Sequence, residues 1–143
     1  MNELQRTKEW FEQAILEPTN EQKSIQVGCH YEEMSEMADS LGDNLAMDEL
    51  NSIADEYKTG EYAEYLSLMS DKAKIPFLDS LVDQIVTATG VAHMMGFDIL
   101  GALAEVNRSN FSKFEDGKPV FDSHGKITKG KNYTPPELNE YIK

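Results

Sequence analysis

The stretch from residue 75 to residue 97 constrains the fold of this chain most, because apolar residues occupy nearly every side of the helix that it predicts. A helix that is apolar all round is normally enclosed by other helices. Its apolar members are Ile75, Phe77, Leu78, Leu81, Val82, Ile85, Val86, Ala88, Val91, Ala92, Met94 and Met95. The run is interrupted by Asp79, Asp83, Gln84 and His93. Since charged residues are rare in membrane spans, we expect a buried core helix and no membrane span.

Periodicity, capping residues and turn signals predict that most of the remaining chain is also helical. We expect a first helix that begins after Asn2 and ends near Leu16, and further helices at about 21–41, 46–58, 60–70 and 99–113. Turn signals around Val120–Phe121 predict a short hairpin or ordered loop, and a short helix after Pro136. Residues 1–143 are therefore expected to form a single all-α domain, a bundle of about five helices with this short hairpin tail.

The charge balance narrows the classes of ligand. The chain has 26 acidic and 13 basic residues, which give a net charge of -13. This balance argues against non-specific binding to nucleic acid, which needs a basic surface. A small phosphate ligand delivered with Mg²⁺ stays compatible with it, because the metal reverses the local sign. The single cysteine, Cys29, cannot form an intrachain disulfide, and the polar N-terminus lacks the apolar run of a signal peptide, so we expect a cytoplasmic protein.

Two pairs of carboxylates in widely separated segments are the strongest indication of a site. Glu33 and Glu36 are three residues apart and Asp79 and Asp83 are four apart, so each pair projects from one face of its helix. By itself, the glutamate pair is also typical of a solvated helix face. The aspartate pair lies in the apolar stretch, where unpaired charge is costly, and therefore favours ligation of a cation. Carboxylate oxygens suit Mg²⁺, whereas one cysteine and scattered histidines argue against zinc.

A polar run near the end of the last long helix is a second candidate. Asn107, Asn110 and Lys113 share one helix face, and Arg108 lies within the same run. Asn can bind a base or a ribose, and Lys or Arg can neutralise phosphate. An ordinary polar helix end, with Lys113 near the negative end of the helix dipole, explains the same residues equally well.

A basic loop in the tail is a third candidate. Its lysines are Lys126, Lys129 and Lys131, which lie around Gly125 and Gly130. In so acidic a chain this loop could cover a phosphate, but a solvated linker has the same composition and is the favoured interpretation.

Together, these segments resemble the all-α nucleoside triphosphate pyrophosphohydrolases, the superfamily of MazG-like, dimeric dUTPase-like and phosphoribosyl-ATP pyrophosphohydrolase-like proteins. The family pattern is EExxE followed later by ExxD. Residues 32–36 (Glu-Glu-Met-Ser-Glu) match the first half, and residues 79–90 resemble the second. The run 105–113 resembles a VHxSNMSK segment that is common in phage and bacterial members, and residues 129–138 resemble their KGxNYxPPxL ending. The resemblance covers about residues 25–138.

The resemblance implies an Mg²⁺-dependent hydrolase, with Mn²⁺ able to substitute, that converts a (d)NTP and water to (d)NMP and pyrophosphate in nucleotide-pool housekeeping. The implied metal ligands are Glu33, Glu36, Asp79 and Asp83. The implied catalytic residues are Glu32, Glu33, Glu36 and Asp83, with Glu32 supporting the ligands or orienting water. The implied substrate-binding residues are Asn107, Arg108, Asn110 and Lys113. Family members are dimers or tetramers, so a homodimer or homotetramer is implied as well.

Two departures from the family pattern leave alternatives open. Ser80 stands where the pattern has Glu, three residues before Asp83, and the acid is at Asp79 instead. Residues 43–74 look like an additional helical segment that could shape a base pocket or a subunit interface. A non-catalytic nucleotide-binding or interaction protein, with Ser80 marking a decayed site, is the second hypothesis, and a purely structural acidic bundle is the third. The sequence does not choose among dUTP, dCTP, a damaged purine nucleotide or phosphoribosyl-ATP as substrate.

Overall fold

The computed structural model describes residues 2–143, and its regular secondary structure in that range is helical apart from one short two-stranded hairpin and an isolated bridge between Glu115 and Lys118, which confirms the predicted all-α class. The elements are α1 (Glu3–Ala14), α2 (Asn20–Ser40), α3 (Asn44–Lys58), α4 (Ala63–Ser67), α5 (Asp71–Met94), α6 (Ile99–Phe111), β1 (Val120–Phe121), β2 (Ile127–Thr128) and a 3₁₀-helix (Asn139–Tyr141). The antiparallel strands pair Val120 with Thr128 and Phe121 with Ile127. The predicted hairpin is therefore confirmed, and the short final helix is a single 3₁₀ turn.

Side-chain caps explain where α1, α2, α3 and α6 begin. The Asn2 side chain accepts a hydrogen bond from the Gln5 N–H at 2.8 Å. Thr19 and Gln22 form a reciprocal capping box at the start of α2. At the start of α3, the Asp43 carboxylate accepts a hydrogen bond from the Ala46 N–H at 3.1 Å. Asp98 accepts from the Gly101 N–H at 3.0 Å at the start of α6. These bonds satisfy N–H groups that the first helical turn leaves without a partner, so helix starts were readable from the sequence.

The chain divides into two compact units. The middle unit is Glu17–Ser70 and contains α2, α3 and α4. The terminal unit consists of the residues up to Leu16 together with Asp71–Lys143, and contains α1, α5, α6, the hairpin and the 3₁₀-helix. The expectation of a single domain stays a prediction.

In the middle unit, α2 and α3 pack as an antiparallel pair that is held by small residues and hydroxyl groups. The Ser24 hydroxyl donates to the Tyr57 carbonyl at 2.6 Å, and the Ser35 hydroxyl donates to the Met47 carbonyl at 2.9 Å. Between these two bonds, Gly28 lies against the fully buried Ala54. A Cβ at Gly28 would meet the Ala54 carbonyl oxygen at 2.8 Å, so the close approach of the two helices requires glycine there.

Adding one methyl group at this crossing should destabilise the protein. We expect Gly28→Ala to lower the free energy of unfolding by about 1–3 kcal/mol, because the new Cβ forces α2 and α3 apart. The matched control is Gly90→Ala in α5, where no atom lies within 4 Å of the new Cβ. That variant should be neutral or gain up to about 1 kcal/mol from the better helix propensity of alanine. Urea denaturation of both variants measures the difference, and equal stabilities would contradict this packing.

In the terminal unit, α1 and α6 pack around an aromatic core. Trp10, Ala14 and Phe114 are buried, and Trp10 stacks on Phe114 with ring centroids 5.6 Å apart. The Trp10 Nε1–H donates to the Asn110 carbonyl at 2.8 Å, which satisfies the indole. Partly buried apolar residues complete this core, and they are Phe11, Ile15, Phe111 and Ile127.

Helix α5 differs from the prediction in its start and in its burial. It begins at Asp71, before the predicted start, so that Pro76 lies inside the helix and not in its first turn. The prediction that other helices enclose this segment is wrong for one chain by itself. Its exposed large apolar side chains are Ile75, Leu78, Leu81, Val82, Ile85, Val86, Val91 and Met94. These side chains are distributed around most of the circumference of the helix, which is more than one neighbouring helix covers.

The same helix was predicted not to cross a membrane. Among residues 2–143, no single helix has both the length and the apolar character that a membrane span requires. Only α5 and α6 taken together, with a bend of 119° between them, meet the requirement of length and composition.

Candidate functional site

Glu33 lies on the side of α2 that faces away from α3, and Glu36 lies at the flank of the helix. The side of α2 that packs most closely on α3 includes Ser24, Gly28 and Ser35. Since successive helical residues are about 100° apart, Glu33 lies nearly opposite Ser35. Both glutamates are exposed. The two carboxylates are therefore accessible from solvent.

Glu32 has a different environment from its neighbours in the EExxE segment. It is partly buried and forms an ion pair with Lys58 of α3. Beside this pair, the rings of Tyr31 and Tyr57 stack with centroids 5.4 Å apart, and burial raises the pKa of the Tyr57 hydroxyl. Glu32 thus ties α2 to α3 at the residue next to Glu33, which agrees with a supporting role and not with direct ligation.

Asp79 and Asp83 are both exposed on α5, one helical turn apart. Side chains at this spacing lie roughly 5–6 Å apart at Cβ. On the helix, Asp79 is rotated by about 40° from Asp83, and residue 80 by about 60°. The direction of Asp79 from the helix axis is therefore closer to that of Asp83 than the direction of a glutamate at position 80 would be. The helix geometry favours Asp79 over Ser80 as the partner of Asp83.

The donor chemistry of each pair suits Mg²⁺. Among residues 2–143, neither unit by itself brings together three or more His, Cys, Asp or Glu side chains in a group that could hold a metal ion. Protein-bound Mg²⁺ is commonly held by one or two carboxylates and completes its shell with water and substrate phosphates. Two exposed carboxylates one turn apart fit that type of site, whereas a cage made only of protein ligands is not present in the described residues.

Asn107 is the most deeply buried of the predicted substrate-binding residues. Its side chain is 1% exposed and joins α6 to α1. The amide nitrogen donates to the backbone carbonyl and to the carboxylate of Glu3, both at 2.8 Å. The amide oxygen accepts from the Thr7 hydroxyl at 2.8 Å. Asn107 therefore connects two helices in the terminal unit, and contact with a nucleotide would require these bonds to break.

Arg108 fastens the tail of the chain to α6. Its Nε and Nη2 donate to the two carboxylate oxygens of Glu105, both at 2.8 Å. Its Nη1 donates to the Thr134 hydroxyl at 2.6 Å, and Nη2 also donates to the Pro135 carbonyl at 3.1 Å. Glu105 accepts a further bond from the Glu137 N–H at 3.0 Å. The pattern is a bidentate Arg–carboxylate pair, which is among the strongest hydrogen-bonded arrangements in proteins.

Two serines of the same helix complete this attachment. The Ser109 hydroxyl donates to the Thr134 carbonyl at 2.8 Å, and the Thr134 N–H donates to the Ser112 hydroxyl oxygen at 3.0 Å. We call the contacts of Glu105, Arg108, Ser109 and Ser112 with residues 134–137 the tail clamp. The sequence analysis missed it, although the Glu105–Arg108 spacing is typical of helical ion pairs and was the available signal.

The clamp also changes the acidity of Glu105. Hydrogen bonds from Arg108 and from the Glu137 N–H lower the pKa of its carboxyl group to about 2. A folded-state pKa below the ordinary value means that the clamp contributes stability above about pH 4.5. That contribution is lost as the pH falls toward 2.

The basic loop that carries Lys126, Lys129 and Lys131, which we call the lysine loop, lies against the end of α6. The Gly130 N–H donates to the Lys113 carbonyl at 2.9 Å, and a Cβ at Gly130 would collide with that carbonyl oxygen. The Lys129 ammonium lies 5.0 Å from the centroid of the Tyr133 ring, and the Lys113 ammonium lies 5.9 Å from a Trp10 ring. The structure thus places the loop that follows Thr128 beside Lys113, so the second and third candidates belong to one region.

No protein-family model matches this chain, and no curated protein or solved structure shows significant similarity to it.

Proposed function

We propose that this protein is an Mg²⁺-dependent nucleoside triphosphate pyrophosphohydrolase. In this reaction, a water oxygen bonds to the α-phosphorus of a (d)NTP and the bond from that phosphorus to the α–β bridging oxygen breaks. The products are (d)NMP and pyrophosphate. The proposal assigns metal binding to Glu33, Glu36, Asp83 and Asp79, and nucleotide-pool housekeeping in the cytoplasm as the role.

One observation carries the proposal. Two long helices each present a pair of exposed carboxylates one turn apart, Glu33 with Glu36 and Asp79 with Asp83. These pairs occur in the order in which the EExxE and ExxD segments of the resembled family occur. A net charge of -13 would repel a polyphosphate, so binding one requires a cation, and clustered carboxylates supply a place for it.

The surroundings of each residue suggest its role in the proposed reaction. Bound Mg²⁺ would neutralise phosphate charge and make a coordinated water more acidic. Glu32, tied to Lys58, holds the backbone of the EExxE segment against α3. Asn110 and Lys113, on the last turn of α6 and just beyond it, would meet the sugar or base and the phosphates.

A homodimer or homotetramer is part of the proposal. The support is the row of exposed apolar side chains along α5, since exposed apolar patches of more than a few hundred Å² usually mark interaction sites. A second copy of the chain would cover this surface. It would also explain why so apolar a segment is not enclosed within one chain.

The test is pyrophosphate release from a panel of canonical and modified NTPs and dNTPs, with Mg²⁺ and with EDTA. We expect metal-dependent release from one or a few members of the panel, which would identify the substrate at the same time. Absence of release, together with thermal stabilisation by nucleotide, would contradict the proposal and favour a binding protein with a decayed site at Ser80. Absence of both effects would favour a purely structural bundle.

A further inference from the structure

The polar run on α6 contacts two other parts of the terminal unit. Asn107 binds α1 through Glu3 and Thr7. One residue later, Arg108 binds the tail through Thr134 and Pro135. The two segments that resemble a family pattern, 105–113 and 129–138, are therefore bonded directly to each other.

We propose that Arg108 is a positioning residue, which together with Glu105 fastens residues 134–137 to α6 and thereby holds the lysine loop at the end of that helix, and that it is not a phosphate ligand. The part of this inference that concerns catalysis rests on the proposed function. The part that concerns the tail does not.

Four of the five N–H donors of Arg108 are already engaged, although its side chain is 46% exposed. Nε, Nη1 and Nη2 each donate to a partner, and Glu105, the main partner, has a side chain that is only 16% exposed. A phosphate that captured this guanidinium would leave the Glu105 carboxylate without its bidentate partner in a mostly buried position. Loss of a charged partner from a buried group is costly, so the clamp competes strongly against phosphate.

The clamp is continuous with the lysine loop. The Tyr133 N–H donates to the Gly130 carbonyl at 3.2 Å, so a tight turn separates the loop from Thr134, the first clamped residue. The loop itself lies so close to the Lys113 carbonyl that only glycine fits at position 130. Release of residues 134–137 would leave the loop attached to this region by the Gly130 N–H bond to the Lys113 carbonyl and the Lys131 N–H bond to the Glu115 carboxylate, so its position would be less restricted. Arg108 would act on the substrate through the position of Lys113 and the loop.

Hydrogen exchange of two tail amides tests the clamp without any turnover. The reporters are the N–H groups of Thr134 and Glu137, which donate to Ser112 and Glu105. We expect Arg108→Ala and Glu105→Gln each to raise the exchange rates about tenfold or more, because each removes the same charge-assisted pair. The double variant should add little to the larger single effect, as expected for two residues of one interaction. Lys118→Ala, which removes an exposed cation in the neighbouring turn, is the matched control and should leave both rates unchanged.

Kinetics with the substrate found above separates positioning from ligation. If Arg108 is a positioning residue, Arg108→Ala should change kcat by about the same factor as Glu105→Gln does. The same should hold for KM. If Arg108 binds phosphate, its loss raises KM at least tenfold, whereas Glu105→Gln, which keeps the guanidinium, does not. That result would overturn the proposal, and so would unchanged exchange in both single variants. Arg108→Lys, which keeps the charge but not the fork, should show intermediate exchange and provides a milder variant if Arg108→Ala does not fold. If the protein releases no pyrophosphate at all, the exchange measurement still decides the clamp.

Discussion

Glu36→Gln should reduce metal-dependent pyrophosphate release by at least about 100-fold, because removal even of groups that only support a metal ligand costs 10–100-fold. Glutamine keeps the shape of the side chain but lacks the charge that a hard cation requires. Glu36 is exposed, so the helical fold should survive. Exposed substitutions of this kind change stability by about 0.5 kcal/mol or less. Steady-state pyrophosphate release and thermal melting, measured on the same preparation, check both statements.

The control is chosen to match charge and exposure. Glu49→Gln, on α3, removes the same charge from an exposed glutamate outside the candidate site and should retain full activity. Asp83→Asn, on α5, should lose activity as strongly as Glu36→Gln, since both pairs are proposed to bind metal. Full activity in Glu36→Gln would remove it from the site. Equal losses in Glu49→Gln would show that net charge, and not ligation, is responsible.

Local structure could be predicted from the sequence because its causes are local. The starts of α1, α2 and α6 follow from capping side chains, each of which accepts a hydrogen bond from the backbone N–H three residues further along the chain. The hairpin of β1 and β2 follows from turn residues in the same way. The start of α5 was predicted at residue 75 from the apolar run, whereas the helix begins at Asp71 and contains Pro76.

The contacts that organise the terminal unit could not be predicted, because they join residues that are far apart in the chain. Asn107 binds Glu3, which is 104 residues away, and Arg108 binds Pro135, which is 27 away. Helical periodicity shows which residues share a face but not what packs on that face. Hence the polar run on α6 was recognised as unusual and its partners were not. For the same reason, the sequence identified the two acidic pairs and could not show that both are exposed in a single chain.

The burial of α5 was predicted wrongly for one chain, and this error leads to the last expectation. The apolar composition of a helix indicates how much of its surface is expected to be buried. It does not indicate whether that surface is buried within the same chain or against a second copy. Ile85 lies near the middle of the apolar side of α5 and is 49% exposed. In light scattering at micromolar concentration, we expect the wild-type protein to form the proposed oligomer and Ile85→Glu to be a single chain of 16.1 kDa. A carboxylate placed in an apolar interface loses its hydration without gaining a partner, which costs several kcal/mol.

Leu16→Glu is the matched control, because Leu16 is 87% exposed and lies outside α5. It adds the same charge and should leave the oligomer intact. A stable interface buries about 800 Å² on each partner, so a surface as long as α5 is needed and an isolated leucine is not enough. A monomeric wild-type protein would contradict the oligomer itself, and an intact Ile85→Glu oligomer would place the interface elsewhere. Since Asp79 and Asp83 lie on the same helix as this apolar surface, dissociation by Ile85→Glu should also reduce pyrophosphate release, whereas Leu16→Glu should leave it unchanged.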